Sequence, residues 1–168
     1  MKFRLDNRIS TILLGLLFVA IAIASFGAIA SPAWANDYNK EFLIGVDFSG
    51  KELTDSSFTK ANLRSSNLSH TNLRGVSFFG ANLESVNLEG ADLRNATLDT
   101  ARLTKANLKN AVLEGAFAFN TKFEGAIIDG ADFTDVLLRR DVQQQLCKIA
   151  SGTNPTTGRE TRETLFCS

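Results

Sequence analysis

Apolar residues recur at every fifth position along most of this chain, a spacing that belongs to neither an α-helix nor a flat strand. From Phe48 to Phe133 it gives 18 positions, of which 17 hold Leu, Phe or Ile, and Ala118 is the exception. Two residues before each lies a second column, from Val46 to Ala131, in which ten positions hold Ala. Large and small side chains therefore alternate with a fixed phase, which predicts a repeat structure.

A square chain path buries both columns. On an α-helix a period of five places successive large residues about 140° apart, and on a flat strand it places them on opposite faces. If each pentapeptide turns the chain by about a right angle, four of them close a coil whose interior takes both columns, because residues two apart share a strand face. Such coils are stable only as a stack. The sequence thus predicts an all-β solenoid over residues 46–138.

This repeat resembles the pentapeptide-repeat family, whose consensus is Ala, then Asp or Asn, then Leu and two variable residues. The consensus appears here as Ala61-Asn62-Leu63, Ala81-Asn82-Leu83, Ala91-Asp92-Leu93 and Ala106-Asn107-Leu108. The resemblance implies that family's right-handed, quadrilateral β-helix. Lys51 departs from the small column and indicates a ragged first coil. Ala118 under-fills its core layer, so we expect a local bulge there, or an inward-turned Phe117 or Phe119.

The first 35 residues predict a secretory signal peptide. Three basic residues precede an uncharged stretch from Thr11 to Ala30, and Ala33-x-Ala35 supplies the small residues that favour cleavage between Ala35 and Asn36. An uncleaved membrane anchor is the alternative, because about twenty apolar residues also span a bilayer. Residues 36–45 are then predicted to form an N-terminal cap segment ahead of the repeats.

The repeat fades after Val136, and residues 139–168 predict a helical C-terminal cap over the open edge of the last coil. Asp141 is placed to cap a helix that runs to Ala150, and residues 160–166 predict one or two further helical turns. Cys147 and Cys167 are the only cysteines. Because an exported chain meets an oxidising compartment, we predict a disulfide between them.

The cap carries a second, narrower resemblance, to the tail of exported pentapeptide-repeat proteins of cyanobacteria and chloroplasts. The matching residues are Leu146-Cys147, the run from Ala150 to Gly158, and Thr161-Arg162 ahead of the last cysteine. Those proteins belong to the thylakoid lumen or the periplasm. The resemblance therefore implies an exported protein in one of these two compartments, and it brings no activity with it.

Stacking at twenty residues also predicts which outer side chains lie above one another. Asp47, Asn67, Asn87 and Asn107 fall in one column. Aligned Asn side chains commonly hydrogen-bond along a stack or to turns, so we interpret this column as structural and not as a cation stripe. His70 falls at a corner without a catalytic partner, and we predict a solvated turn residue.

Large apolar residues at outward positions gather toward the C-terminal end of the predicted rod. They form a candidate interaction patch of Phe79, Phe117, Phe119 and Leu137. An exposed apolar patch marks either a partner site or a surface that another part of the chain covers. We favour the second alternative, with the cap as the covering segment.

The composition argues against catalysis and against nucleic-acid binding. Lys and Arg number 18 against 18 Asp and Glu, and the chain has one His, one Trp and one Tyr. A balanced charge gives no electrostatic attraction for nucleic acid. We therefore predict a monomeric, non-enzymatic structural or interaction scaffold without metal or cofactor. Its protein partner is unidentified, and it meets the membrane only through an uncleaved signal segment.

Two other classes of function stay as alternatives. Some pentapeptide-repeat proteins mimic duplex DNA and inhibit a topoisomerase, which requires an acidic stripe and a cytosolic location. A thiol-redox-responsive protein would use Cys147 and Cys167, although these lack the C-x-x-C spacing typical of redox motifs.

Overall fold

The pentapeptides fold into a stack of square coils in the computed structural model, which describes residues 36–168. Parallel backbone bridges join residues twenty positions apart, from Asp37 with Ser57 to Phe117 with Leu137. Each pentapeptide contributes a single bridged residue, and four of them complete one coil. The twenty-residue coil predicted from the period of five is therefore confirmed.

The bridged residues form four outward-facing columns, one on each side of the coil stack. Side 1 carries Asp37, Ser57, Ser77, Thr97, Phe117 and Leu137, and side 2 carries Phe42, Asn62, Asn82, Arg102 and Lys122. Side 3 carries Asp47, Asn67, Asn87, Asn107 and Ile127, and side 4 carries Glu52, Asn72, Asp92, Val112 and Asp132.

The corners between sides are β-turns, and at all of them except the one at Asn120 the third residue has a positive φ, as in type II turns. After Phe58, for example, the Ala61 N–H donates to the Phe58 carbonyl over 3.0 Å, and Lys60 has a φ of 58°. This conformation costs a residue other than glycine roughly 1–2 kcal/mol. The Lys60 N–H in turn donates to the Phe79 carbonyl of the next coil over 2.8 Å. Stacking thus stabilises the strained corners.

The two apolar columns form one continuous core. Every Leu of the large column from Leu63 to Leu113 is fully buried, and the Ala residues from Ala61 to Ala116 are at most 1% exposed. Burying a Leu side chain contributes roughly 1.5–3 kcal/mol. Because each coil covers the next, this contribution repeats along the stack and opposes the loss of backbone entropy.

The first coil begins ten residues earlier than the predicted solenoid. Residues 36–45, expected as a separate cap segment, are two further pentapeptides, in which Asp37 and Phe42 are bridged to the next coil. Tyr38 takes the place of a Leu in the large column, and its ring stacks on Phe58 with centroids 4.6 Å apart. The predicted signal peptide, including Ala35 of its cleavage site, lies outside the described residues.

Two short helices follow the last parallel bridge, α1 at Arg140–Cys147 and α2 at Thr161–Thr164. The prediction that Asp141 caps α1 is wrong: Arg139 precedes the helix, and Asp141 lies in its first turn, paired with Arg139 at 2.9 Å. A carboxylate in the first turn still complements the helix dipole.

Neither helix between residues 36 and 168 is long and apolar enough to cross a membrane.

The first helix is shorter than predicted, and the second agrees with its prediction. α1 ends at Cys147, and Ala150, its expected last residue, is instead 7% exposed and packs into the core. α2 spans four residues within 160–166, which is about one of the one or two turns expected there. Between them the chain forms a loop in which Thr153 and Glu160 make an antiparallel bridge. The cap is therefore mostly loop, fitted to the end of the coil stack.

Candidate functional site

The apolar patch predicted from the sequence lies on side 1 and on the corner that follows it. Phe117 and Leu137 are bridged neighbours with 45% and 48% of their surfaces exposed. Phe119 and Phe79 lie at the corner, two coils apart, and are 43% and 40% exposed. The expectation that the cap covers these four side chains is wrong, because the cap packs over the end of the core. We call these four residues the side-1 patch.

The corner that contains Phe119 has a flipped peptide. At the corresponding corner of the preceding coil Thr100 has a φ of 59°, whereas Asn120 does not have a positive φ. The Asn120 N–H instead points back along the stack and donates to the Asp99 carboxylate over 2.9 Å. The corner thus departs from the type II geometry of its neighbours.

The bulge or inward-turned Phe expected around Ala118 is absent from the described residues. Ala118 is fully buried, its N–H donates to Leu137 over 3.1 Å, and the bridges of Phe117 to both neighbouring coils persist. The register therefore holds through the under-filled layer. The expectation is wrong because the local adjustment occurs in the turn peptide before Asn120.

The Asn column on side 3 is structural, as predicted. The side-chain amides of Asn67, Asn87 and Asn107 each donate to the side-chain oxygen one coil below, at 3.1, 3.2 and 3.0 Å. Each of their side-chain oxygens also accepts the N–H two residues further on, at 3.1–3.2 Å. Their hydrogen-bonding groups are thus used along the stack and at the turns.

His70 is an exposed corner residue with a φ of 54°. It lies against Gly90 of the next coil, where an added Cβ would come within 2.6 Å of the His70 ring. This close approach favours glycine there. Among residues 36–168 no group of three His, Cys, Asp or Glu side chains is placed to hold a metal ion.

Asn154 fastens the cap loop to the wall of the stack, a role that sequence reasoning missed. Its side chain is fully buried, and its amide donates to the carbonyls of Asn110, Ala111 and Gly130 at 3.1, 3.1 and 2.8 Å. Its side-chain oxygen accepts the N–H of Thr156 and of Thr157. One side chain thereby satisfies five backbone groups.

A buried carboxylate on side 4 makes the second contact between wall and cap. Asp132 has no exposed surface, and it accepts hydrogen bonds from the Thr134 backbone N–H at 2.9 Å and from the Thr134 hydroxyl at 2.6 Å. Arg159 of the cap loop lies 3.2 Å from Asp132 and 3.2 Å from Glu114. Burial alone raises the pKa of Asp132, but the Thr134 hydrogen bonds and the Arg159 charge bring that pKa below its ordinary value.

This depressed pKa predicts that Asp132 stabilises the protein less at acid pH. Unfolded Asp titrates near a pKa of about 3.9, so the stabilisation is complete above that pH and disappears as pH falls through the lower folded pKa. We expect Asp132→Asn to lower the free energy of unfolding by a constant amount above about pH 5. The difference in unfolding free energy between the wild type and the variant should shrink below about pH 4. Urea denaturation at each pH measures it. A difference that grows toward pH 2.5 would contradict the assignment.

The predicted disulfide between Cys147 and Cys167 is confirmed. Their Cα atoms are 5.5 Å apart, and the bond joins the end of α1 to the last residues of the chain across a separation of 20 residues. The Arg162 guanidinium donates to the Cys147 carbonyl over 3.0 Å, beside the bond. Both ends of the cap are thus held together.

Removing this bond is expected to destabilise the cap strongly. Cys147→Ser with Cys167→Ser should lower the free energy of unfolding by about 3 kcal/mol, because the closed loop restricts the unfolded chain. Guanidinium denaturation measures the loss, and dithiothreitol should bring the wild type to the stability of the variant. A reductant that changes neither protein would refute a structural role of the bond.

Comparison with known proteins agrees with this geometry. The model of the pentapeptide repeats family matches eight copies, over residues 43–75, 77–115 and 101–140. A crystal structure of a pentapeptide repeat protein from the Arabidopsis thaliana thylakoid lumen is 44% identical, with a TM-score of 0.76 over 86% of this chain and 99% of that one. A pentapeptide repeat protein from Nostoc is 27% identical, with a TM-score of 0.54 over 74% of this chain and 94% of that one.

Two curated relatives match more locally. The thylakoid lumenal 15 kDa protein 1 of Arabidopsis thaliana is 61% identical over 41 residues, which are 24% of this chain and 18% of that protein. The thylakoid lumenal protein TL20.3 of the same plant is 52% identical over 40 residues, or 24% of this chain and 14% of that protein. The right-handed coil implied by the family resemblance is the coil of the solved pentapeptide repeat proteins. With its repeats, its bridges and its solved relatives in agreement, the chain belongs to the pentapeptide repeat family.

Proposed function

We propose that this protein is a non-catalytic interaction scaffold of the thylakoid lumen or the periplasm, and that the side-1 patch is its contact surface. The observation that carries the proposal is the exposure of four large apolar side chains on one side of a rigid stack, at 40–48% each. Exposing apolar surface to water is unfavourable. A partner that covers it contributes roughly 25 cal/mol of binding free energy for each Å² of apolar area removed from water.

The rigidity of the stack supports a scaffold. The side-1 patch is attached to a backbone in which successive coils are hydrogen-bonded to each other, so its residues are held in fixed relative positions before a partner binds. A preformed surface loses little conformational entropy on binding. The location is supported by the lumenal relatives and by the predicted signal peptide.

The charge pattern of the outer columns does not favour a DNA mimic. Along side 4 and its corner, Arg74 and Arg94 both pair with Asp92, at 2.7 and 2.8 Å. Arg159 then pairs with Glu114 further along the stack. A wall on which positive and negative side chains alternate lacks the continuous acidic stripe that imitates a phosphate backbone.

A capture experiment tests the side-1 patch. The purified protein is immobilised and incubated with extract of the thylakoid lumen or periplasm, and bound proteins are quantified by mass spectrometry. Phe117→Ser with Phe119→Ser should reduce capture of the partner at least tenfold. Phe42→Ser is the matched control, since Phe42 is 83% exposed at the opposite end of the stack. Equal capture by both variants would refute the patch as the contact surface.

A further inference from the structure

A groove at the C-terminal end of the stack lies on sides 2 and 3, away from the side-1 patch. One wall is the last coil from Phe123 to Asp129, and the other is formed by four residues of α1 and the turn after it, Val142, Gln145, Leu146 and Ile149. Its volume is about 400 Å³, within the range of small binding pockets. We call it the terminal groove.

The backbone along the terminal groove lacks the partners that every earlier coil has. In the coil below, the Leu103 N–H donates to the Lys122 carbonyl over 2.8 Å, and the Ala106 carbonyl accepts the Ile127 N–H over 2.9 Å. The equivalent groups of the last coil are the N–H of Phe123 and of Ile128 and the carbonyls of Thr121 and Ala126. Within residues 36–168 no backbone or side-chain group is hydrogen-bonded to them.

Two equivalent N–H groups on the other sides of the same coil have partners. On side 1 the Ala118 N–H donates to the Leu137 carbonyl at 3.1 Å, and on side 4 the Phe133 N–H donates to the Thr164 hydroxyl of the cap at 3.1 Å. An edge with unpaired N–H and carbonyl groups thus faces the terminal groove. Such an edge, with N–H and carbonyl groups in register, is the template to which an extended peptide adds as a further strand.

Charge and apolar surface identify the chemistry of the added strand. Two carboxylates, those of Glu124 and Asp129, are the charged groups that line the groove. The Asp129 carboxylate accepts the Ser151 hydroxyl, and Glu124 makes no ion pair among the described residues. Ile127 and Ile149 at the rim are 49% and 50% exposed. We infer that the terminal groove binds an extended segment of a partner protein in which Lys or Arg stands beside apolar residues.

The chain itself contains a segment with this chemistry. Residues 101–110 pair with the coil below them, where the Arg102 N–H donates to Ala81 over 3.0 Å and the Leu83 N–H donates to Arg102 over 2.8 Å. The same segment carries Lys105 and Lys109. In the register of a following coil, the peptide's Lys109 would lie above Asp129, whereas in the folded chain Lys109 lies one coil below Asp129. A decapeptide of this sequence is therefore a suitable probe.

The test is titration of the purified protein with the labelled decapeptide ARLTKANLKN, followed by fluorescence anisotropy at low salt. We expect saturable binding. Methylating the backbone nitrogens at the second and seventh positions should weaken it roughly tenfold, since two backbone hydrogen bonds are lost. Replacing the three basic residues of the peptide by Glu should weaken binding at least as much. In the protein, Glu124→Gln with Asp129→Asn should weaken binding of the unmodified peptide about threefold to tenfold.

Matched variants separate the terminal groove from other surfaces. Ile149→Ala should weaken peptide binding several-fold. Ile44→Ala should not, although Ile44 is equally exposed at the opposite end of the stack. Phe117→Ser with Phe119→Ser should also leave the peptide affinity unchanged. The peptide titration and the capture experiment therefore test the terminal groove and the side-1 patch independently of each other. The inference would be overturned if the decapeptide did not bind saturably. It would also be overturned if backbone methylation or Ile149→Ala left the affinity unchanged. It is equally overturned if the protein alone sediments as a dimer that Ile149→Ala dissociates, since the occupant is then a second copy.

Discussion

Leu88→Asn is expected to lower the free energy of unfolding by about 3–8 kcal/mol. Leu88 lies in the middle of the stack with no exposed surface. Truncating such a Leu to Ala costs about 2–5 kcal/mol, and an Asn adds a buried amide without a partner, at about 1–3 kcal/mol more. The sum approaches the whole stability of an ordinary domain, about 5–15 kcal/mol. Chemical denaturation with circular dichroism measures the loss.

Leu137→Asn is the matched control, because this Leu is 48% exposed on side 1. We expect its effect on the free energy of unfolding to stay within about 0.5 kcal/mol, as for most surface substitutions. Leu88→Ala should give an intermediate loss of about 2–5 kcal/mol. If Leu88→Asn and Leu137→Asn were equally stable, the fifth-residue column would not be the core.

Asn154→Ala is expected to release the cap loop from the wall and to lower the free energy of unfolding by about 4 kcal/mol. The substitution leaves three carbonyls and two N–H groups without the partner that the Asn154 side chain provides. Buried backbone groups without partners cost about 1–3 kcal/mol each, although water entering the loosened loop recovers part of this. Hydrogen exchange at Thr156 and Thr157 should also become faster.

Two controls make this prediction specific. Asn154→Asp keeps the acceptor for Thr156 and Thr157 but replaces the amide donor with a charge that faces three carbonyls, so we expect a loss at least as large. Asn82→Ala removes a half-buried side chain whose amide donates only to Asn62, at 3.3 Å. Its cost should stay near 0.5–1 kcal/mol. An Asn154→Ala variant no less stable than Asn82→Ala would show that the loop is not held by this residue.

The fold could be predicted because burial acts on a repeated pattern. A large residue at every fifth position has no place in a helix or a flat strand, whereas a square coil buries all of them at once. The same register placed Asn67, Asn87 and Asn107 in one column, and their hydrogen bonds follow directly from it. Cys147 and Cys167 were similarly constrained, because the chain has no other cysteine.

The details that escaped prediction depend on contacts between distant parts of the chain. Asn154 in an Asn-Pro pair is typical of a turn, and its partners lie 24 to 44 residues earlier. The flipped peptide before Asn120 depends on Asp99 in the coil below. Tyr38 differs from the Leu and Phe residues of the large column, and the stacking of its ring on Phe58 is what shows that it belongs to that column. Local sequence preferences contain none of these contacts.

The square coil itself is tested most directly by NMR scalar couplings through its hydrogen bonds. Such couplings identify which carbonyl accepts each N–H. The structure predicts that the Asn87 N–H couples to the Ser66 carbonyl and the Leu68 N–H to the Asn87 carbonyl, across bonds of 3.0 and 2.7 Å. Couplings from these amides to carbonyls four residues earlier, or to a register other than twenty, would contradict the coil.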